Sequence, residues 1–214
     1  MERNTGKGGL TMGITAKDPG GSGDYTPVDE GMHRAVCYSV YDLGTHYQEA
    51  YGKNVHKVLI IWELPDERID IERDGEMLNL PRAISRRFTL SLHKKSDLRK
   101  TLESWRGKTF TPEELKGFDL TNLLGVNGTI QVLHNKVGEK TYANIINVVP
   151  LMKGMEKIQP ENPMKYFSFE ESTNLPDGIP DWISEIIKSA NEWGGNETQN
   201  YDEPPPYDDS EIPF

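Results

Sequence analysis

The chain has 214 residues and a formal net charge of −10, and only 35% of its residues are apolar, so part of its length falls outside any packed core. The longest apolar run, 58–62, and the largely apolar 145–149, interrupted by Asn147, are strand-sized and too short to cross a bilayer as helices. Residues 1–9 lack the apolar stretch of a secretory signal, so the expected compartment is the cytoplasm. Cys37 is the single cysteine, which excludes an internal disulfide and any zinc site built on cysteine pairs.

Residues 1–26 are rich in glycine and small polar residues, with Gly20, Gly21 and Gly23 close together, and show no apolar period. They are expected to form a flexible arm. Segment 33–43 is β-rich and ends at Gly44. Segment 57–64 predicts a second strand, with Val58, Ile60, Trp62 and Leu64 facing a core and Pro65 as its stop. The acidic stretch that follows is expected to be a long connection up to Pro81. Segment 84–92 alternates, with Ile84, Phe88, Leu90 and Leu92 on one face and Ser85, Arg87, Thr89 and Ser91 on the other.

A helix comes next, capped by Ser96, carrying Leu98, Leu102 and Trp105 at helical spacing and closed by Gly107. Thr111-Pro112-Glu113-Glu114 has the form of a capping box with proline at the first helical position. A short helix over 119–124 leads to strands at 129–134 and 141–149, joined by a hairpin at 135–139. Three strands, a helical connection and two strands are the order of an OB-fold. The expected fold is thus all-β: a five-stranded OB barrel over 27–152, with the helix between strands 3 and 4 as its plug. Segment 153–190 is an extension whose 179–190 portion can form an amphipathic helix. Segment 191–214 is polar, acidic and proline-containing, and cannot bury enough apolar surface to fold alone.

Charge is segregated along the chain. From 189 to 214 there are seven acidic residues and no Lys or Arg, so 27 of the 34 acids remain to face 24 basic residues elsewhere. Segment 82–108 holds nine basic residues against Asp97 and Glu103, whereas 63–76 holds seven acids against Arg68 and Arg73. Non-specific binding of single strands needs aromatic rings under bases and cations along phosphates. The candidate stackers are Tyr38, Tyr41, Tyr47, Tyr51 and Tyr142. The candidate phosphate contacts are Arg34, Lys53, Lys57, Arg86, Arg87, Lys94, Lys95 and Lys140. The five histidines show no metal-ligand spacing, and no nucleotide loop is present, so no metal, cofactor or catalytic activity is expected.

The C-terminus, Asp208-Asp209-Ser210-Glu211-Ile212-Pro213-Phe214, resembles the acidic tip of bacterial single-stranded-DNA-binding proteins. An acidic leash ending in apolar side chains at a free carboxylate suits an apolar pocket with a basic rim. Asp208, Asp209, Glu211, Ile212, Pro213 and Phe214 are therefore the expected partner-docking residues. A second resemblance, to phage-encoded OB-fold single-stranded-DNA-binding proteins, is carried by Tyr41-Asp42-Leu43-Gly44-Thr45, Thr89-Leu90-Ser91-Leu92-His93, Leu102-Glu103-Ser104-Trp105-Arg106-Gly107 and Tyr142-Ala143-Asn144-Ile145. Together these imply a protein that coats single-stranded DNA in phage replication, recombination or repair and recruits replication or repair partners through its tip. Self-association is left open. The rival readings are an acidic adaptor or DNA mimic, and a phage nuclease using the acids of 63–76.

Overall fold

The computed structural model describes residues 26–194 apart from Asp74. The elements in chain order are β1 (Gly31–Gln48), β2 (Lys53–Arg73), β3 (Glu76–Thr89), α1 (Asp97–Arg106), β4 (Asn127–Val137), β5 (Lys140–Pro150), β6 (Lys165–Phe167) and α2 (Asp181–Lys188). The five long strands form an antiparallel path in the order β3-β2-β1-β4-β5, and β6 joins β1 in parallel. Within that path no ladder joins β3 to β5, so the sheet is open there. Among the described residues no helix is long and apolar enough to cross a membrane.

β1 changes partner along its length. Gly31 to Val36 pair with β4, and Val36 to Gln48 pair with β2. The sheet coils at this handover. Its inner face buries Ala35, Cys37, Val58, Ile60, Trp62, Ile84, Phe88, Ile130, Val132, Ile145 and Val148. α1 closes this core with Leu98, Leu102 and Trp105, packing against β5 and β3. The Trp62 and Trp105 rings lie 5.5 Å apart, and Trp105 Nε1 donates to the Asn127 carbonyl at 3.0 Å. Gly128 permits that approach, since a Cβ there would sit 2.6 Å from Trp105 Nε1. The Cys37 thiol is fully buried in this core, and desolvation pushes its pKa up to about 12.

The cap signals hold at α1, whereas the 111–114 box and the 119–124 segment, expected to form helices, form only 3-10 turns, Glu114–Lys116 and Leu120–Leu123. Ser96 caps α1 by accepting from Arg99 N, and Gly107 ends it at φ 65. Thr111 and Glu114 exchange backbone-to-side-chain bonds at 2.8 and 3.3 Å, as a capping box requires. β4 and β5 turn at Gly138, φ 62.

Four features differ from expectation. First, Pro65 does not end β2. It sits in a bulge between Leu64 and Arg68, where a missing N–H costs no ladder bond. The strands run on through the acidic stretch, pairing Ile69 with Leu80 and Ile71 with Leu78. That stretch is therefore a two-stranded ribbon rather than a connection. Second, Gly44 is a bulge within β1, at φ 74, and not its end. Third, β3 spans 76–89, so Leu90 and Leu92 lie beyond it. Fourth, the extension packs onto the sheet. The outward side chains Tyr41, Leu43, Leu59 and Ile61 are buried with Phe167, Ile183 and Ile187 in a second apolar cluster. A strand covered on both faces explains why 58–62 is apolar without alternation.

The covering segment is anchored by a buried carboxylate. Glu63 is fully buried and accepts from the backbone N–H of Glu161 at 2.8 Å, that of Asn162 at 2.9 Å, and the Asn162 amide at 2.6 Å. Three donors satisfy carboxyl oxygens that would otherwise be costly to bury away from water.

Candidate nucleic-acid interface

The turn from β1 to β2 is a single 3-10 turn, Glu49–Tyr51, closed by Gly52 at φ 62. Its geometry turns two rings into solvent: Tyr47 is 63% exposed and Tyr51 54%. Lys53 Nζ lies 5.9 Å from the centroid of the Tyr51 ring, within cation–π range. Lys57 donates to Gln48 Oε1 at 2.7 Å and pairs with Thr89 across the ladder. Leu90 N donates to the His56 carbonyl at 2.9 Å, so the loop leaving β3 starts beside this turn. That loop carries Lys94, exposed, and Lys95, half-buried. Arg87 is exposed on β3 opposite Leu59. Tyr47, Tyr51, Lys53, Lys57, Arg87, Lys94 and Lys95 thus gather at one end of the β1-β2-β3 sheet. The acidic ribbon occupies the other end of the same strand pair.

The remaining candidates lie elsewhere or are engaged. Lys140 and Tyr142, the latter 47% exposed, sit at the β4–β5 turn. The pairing of Gly31 with Val132 places that turn beyond the N-terminal end of β1, opposite the Tyr47 end. Arg34 is bidentate to Asp66, with bonds of 2.9 and 2.6 Å that raise its pKa. Arg86 reaches Asp97 at 3.0 Å while its Cζ lies 5.0 Å from the Phe88 ring centroid. Tyr41 is 2% exposed inside the second cluster and has no ring face to offer a base. Tyr38 packs against that cluster, and burial pushes its hydroxyl pKa up to about 12. Tyr41 is therefore corrected from a stacker to a packing residue, covered by the extension, while Tyr38 is half-buried beside it. The docking residues 208–214 lie outside the described residues.

Two features escaped sequence reasoning. Trp182 stands 44% exposed on α2, and Arg87 Cζ lies 5.7 Å from its ring centroid. The amphipathic pattern of 179–190 marked the helix but not which of its apolar residues would be buried. The other is a polar clamp at the root of the C-terminal segment. Glu192 accepts from Thr45 N at 2.8 Å and Thr45 Oγ1 at 2.5 Å, and Asn191 N donates to the Thr45 carbonyl at 3.0 Å. His56 Nε2 bonds to Asp42 Oδ1 at 2.6 Å, with Nδ1 3.6 Å from Glu192 Oε1. Burial alone would lower the His56 pKa, but the Asp42 hydrogen bond and the charges of Asp42, Glu192 and Glu170 outweigh it and raise it. Glu192 read as a tail acid in the sequence, yet it belongs to the folded body.

The chain matches no protein-family model, no curated protein and no solved structure. The arrangement itself offers chemistry for a polyanion with flat apolar groups: cations and exposed tyrosines at hairpin turns at the ends of a sheet. Among the described residues no group of three or more His, Cys, Asp or Glu side chains is placed to hold a metal ion.

Proposed function

We propose that this chain is a single-stranded-DNA-binding protein of OB type that coats exposed strands with little sequence preference in phage replication, recombination or repair. The observation that carries the reading is the gathering of Tyr47, Tyr51, Lys53, Lys57, Arg87, Lys94 and Lys95 at one end of a sheet. The neighbour order β3-β2-β1-β4-β5, with α1 inserted between β3 and β4, supports it. This is the neighbour order of an OB barrel opened between its third and fifth strands, a fold that binds oligonucleotides through the hairpins after strands 1 and 4. Both of those hairpins here carry an exposed tyrosine and a lysine. Among the described residues the two α-helices, α1 and α2, pack their apolar faces into the two clusters, and the reading assigns neither to a duplex major groove. Recruitment of replication or repair proteins is assigned to the tip, 208–214.

A gel shift with a labelled single strand, challenged by unlabelled duplex, tests the reading. A shift that duplex displaces poorly is expected. Equal competition by duplex refutes it. No shift at all favours the adaptor or DNA-mimic reading, and shortened products in the presence of magnesium favour the nuclease.

A further inference from the structure

The C-terminal extension covers the outer face of β1 and β2 and so removes Tyr41, Leu59 and Ile61 from any ligand. It also brings a ring of its own. Trp182 is the second residue of α2, and the next residue, Ile183, is fully buried in the second cluster. The indole is thus held by a packed helix yet stands 44% exposed. Beside it, Arg87 projects from β3 with Cζ 5.7 Å from the indole centroid, and among the described residues it makes no ion pair. The two side chains come from elements nearly a hundred residues apart in sequence, joined only because α2 docks on the sheet.

The geometry points to a nucleotide subsite formed by Trp182 and Arg87, with the base stacked on the indole and the phosphate on the guanidinium. The extension is then part of the binding surface and not only a cover. Charge fixes the orientation. Asp181 and Glu185 are exposed on the same helix, outnumber its one cation, Lys188 in the last turn, and repel phosphate beside Trp182, so the backbone of the strand runs on the β3 side. That side leads toward Lys57 and the Lys94–Lys95 loop, continuing the path of the interface described above. The inference rests on the single-strand reading and assigns to it a residue outside the barrel.

The chain's four tryptophans provide the readout. Trp62 and Trp105 are buried together, and Trp193 is half-buried, 6.5 Å from Phe169 between ring centroids. Trp182 is the most accessible of the four. The full-length protein is titrated with a short oligothymidylate while tryptophan emission is followed, alongside Trp182→Phe, Trp182→Ala and Arg87→Ala. Intact protein is expected to quench on binding, and Trp182→Phe to lose most of the quench. Trp182→Ala is expected to weaken binding about fivefold or more, as loss of one base–aromatic stack does, with its salt slope unchanged. Arg87→Ala is expected to keep the stack but reduce the slope. If the intact protein binds and Trp182→Phe quenches fully, or Trp182→Ala binds as tightly as intact protein, the subsite is overturned while the single-strand reading stands. If the intact protein does not bind the oligothymidylate, both fall.

Discussion

Replacing Gly44 by alanine asks whether the C-terminal extension truly belongs to the folded body. Gly44 has φ 74, and a Cβ there would meet Ala190 Cβ at 2.5 Å, Phe169 Cε2 at 2.7 Å and Glu192 Oε2 at 2.8 Å. The backbone conformation alone costs an alanine about 1–2 kcal/mol. The three contacts are each roughly 1 Å inside normal separation, and two belong to the packed Phe169 ring and to Ala190 just past the end of α2, whose Cβ cannot rotate away. Relief requires residues 190–193 to lift off β1. That forfeits the two bonds from Thr45 to Glu192 and the Asn191 bond to the Thr45 carbonyl, a loss similar to the overpacking penalty of about 1–3 kcal/mol. The expected destabilisation is about 3 kcal/mol, corresponding to about 6–12 °C in Tm for a body of this size. Urea and thermal unfolding followed by circular dichroism measure it. A loss no greater than the backbone cost would mean that nothing rests on Gly44 and would refute the docked position of the extension.

Other outcomes follow from the same contacts. The folded pKa of His56 lies above its unfolded value, so its stabilisation is full below about pH 6.5 and is lost as pH rises through the folded pKa. His56→Asn should remove that fall, seen as a converging stability difference between variant and intact protein from acidic to alkaline pH. Arg87→Ala should reduce the salt slope of single-strand binding by about 0.7, the share of one phosphate, whereas Asp70→Lys in the far ribbon should change affinity less; an unchanged slope for Arg87→Ala would remove it from the interface. Truncation after residue 194 spares the Glu192 clamp. It should leave DNA binding intact or tighter, most visibly at low salt, while abolishing capture of replication and repair partners in a pull-down. Deletion of Phe214 alone should lose the partners at unchanged DNA affinity.

The local signals of the chain were legible because they depend on near neighbours. Ser96, Gly107 and the Thr111–Glu114 box act within a turn of their own positions, and each does in the fold what its residue type prescribes. The β4–β5 hairpin announced itself through Gly138. What stayed hidden depends on partners distant in sequence. Pro65 reads as a stop unless the opposing strand tolerates a bulge, and the pairing of Ile69 with Leu80 supplies that. β6 is three residues long and exists only because β1 offers an edge. The burial of Tyr41 follows from α2, which contacts it across more than a hundred residues. Among the candidate contacts, Tyr51 in a turn and Tyr47 and Tyr142 at strand ends beside one kept their availability, since strand ends at a tight turn leave side chains outside. Strand residues such as Tyr41, Arg34 and Arg86 did not, because the covering extension, Asp66 and Asp97 reach them first.

The burial of Cys37 has a practical side. Only the thiolate reacts with disulfides or maleimides, and a thiol that is fully buried with a pKa near 12 is almost never in that form at neutral pH. The folded chain therefore behaves toward such reagents as though it had no cysteine. A cysteine introduced on the surface can be labelled alone, with the native residue left in place. The native thiol becomes visible only when β1 parts from the core, so its rate of modification is a clock for opening of the inner core, carried by the unmodified protein.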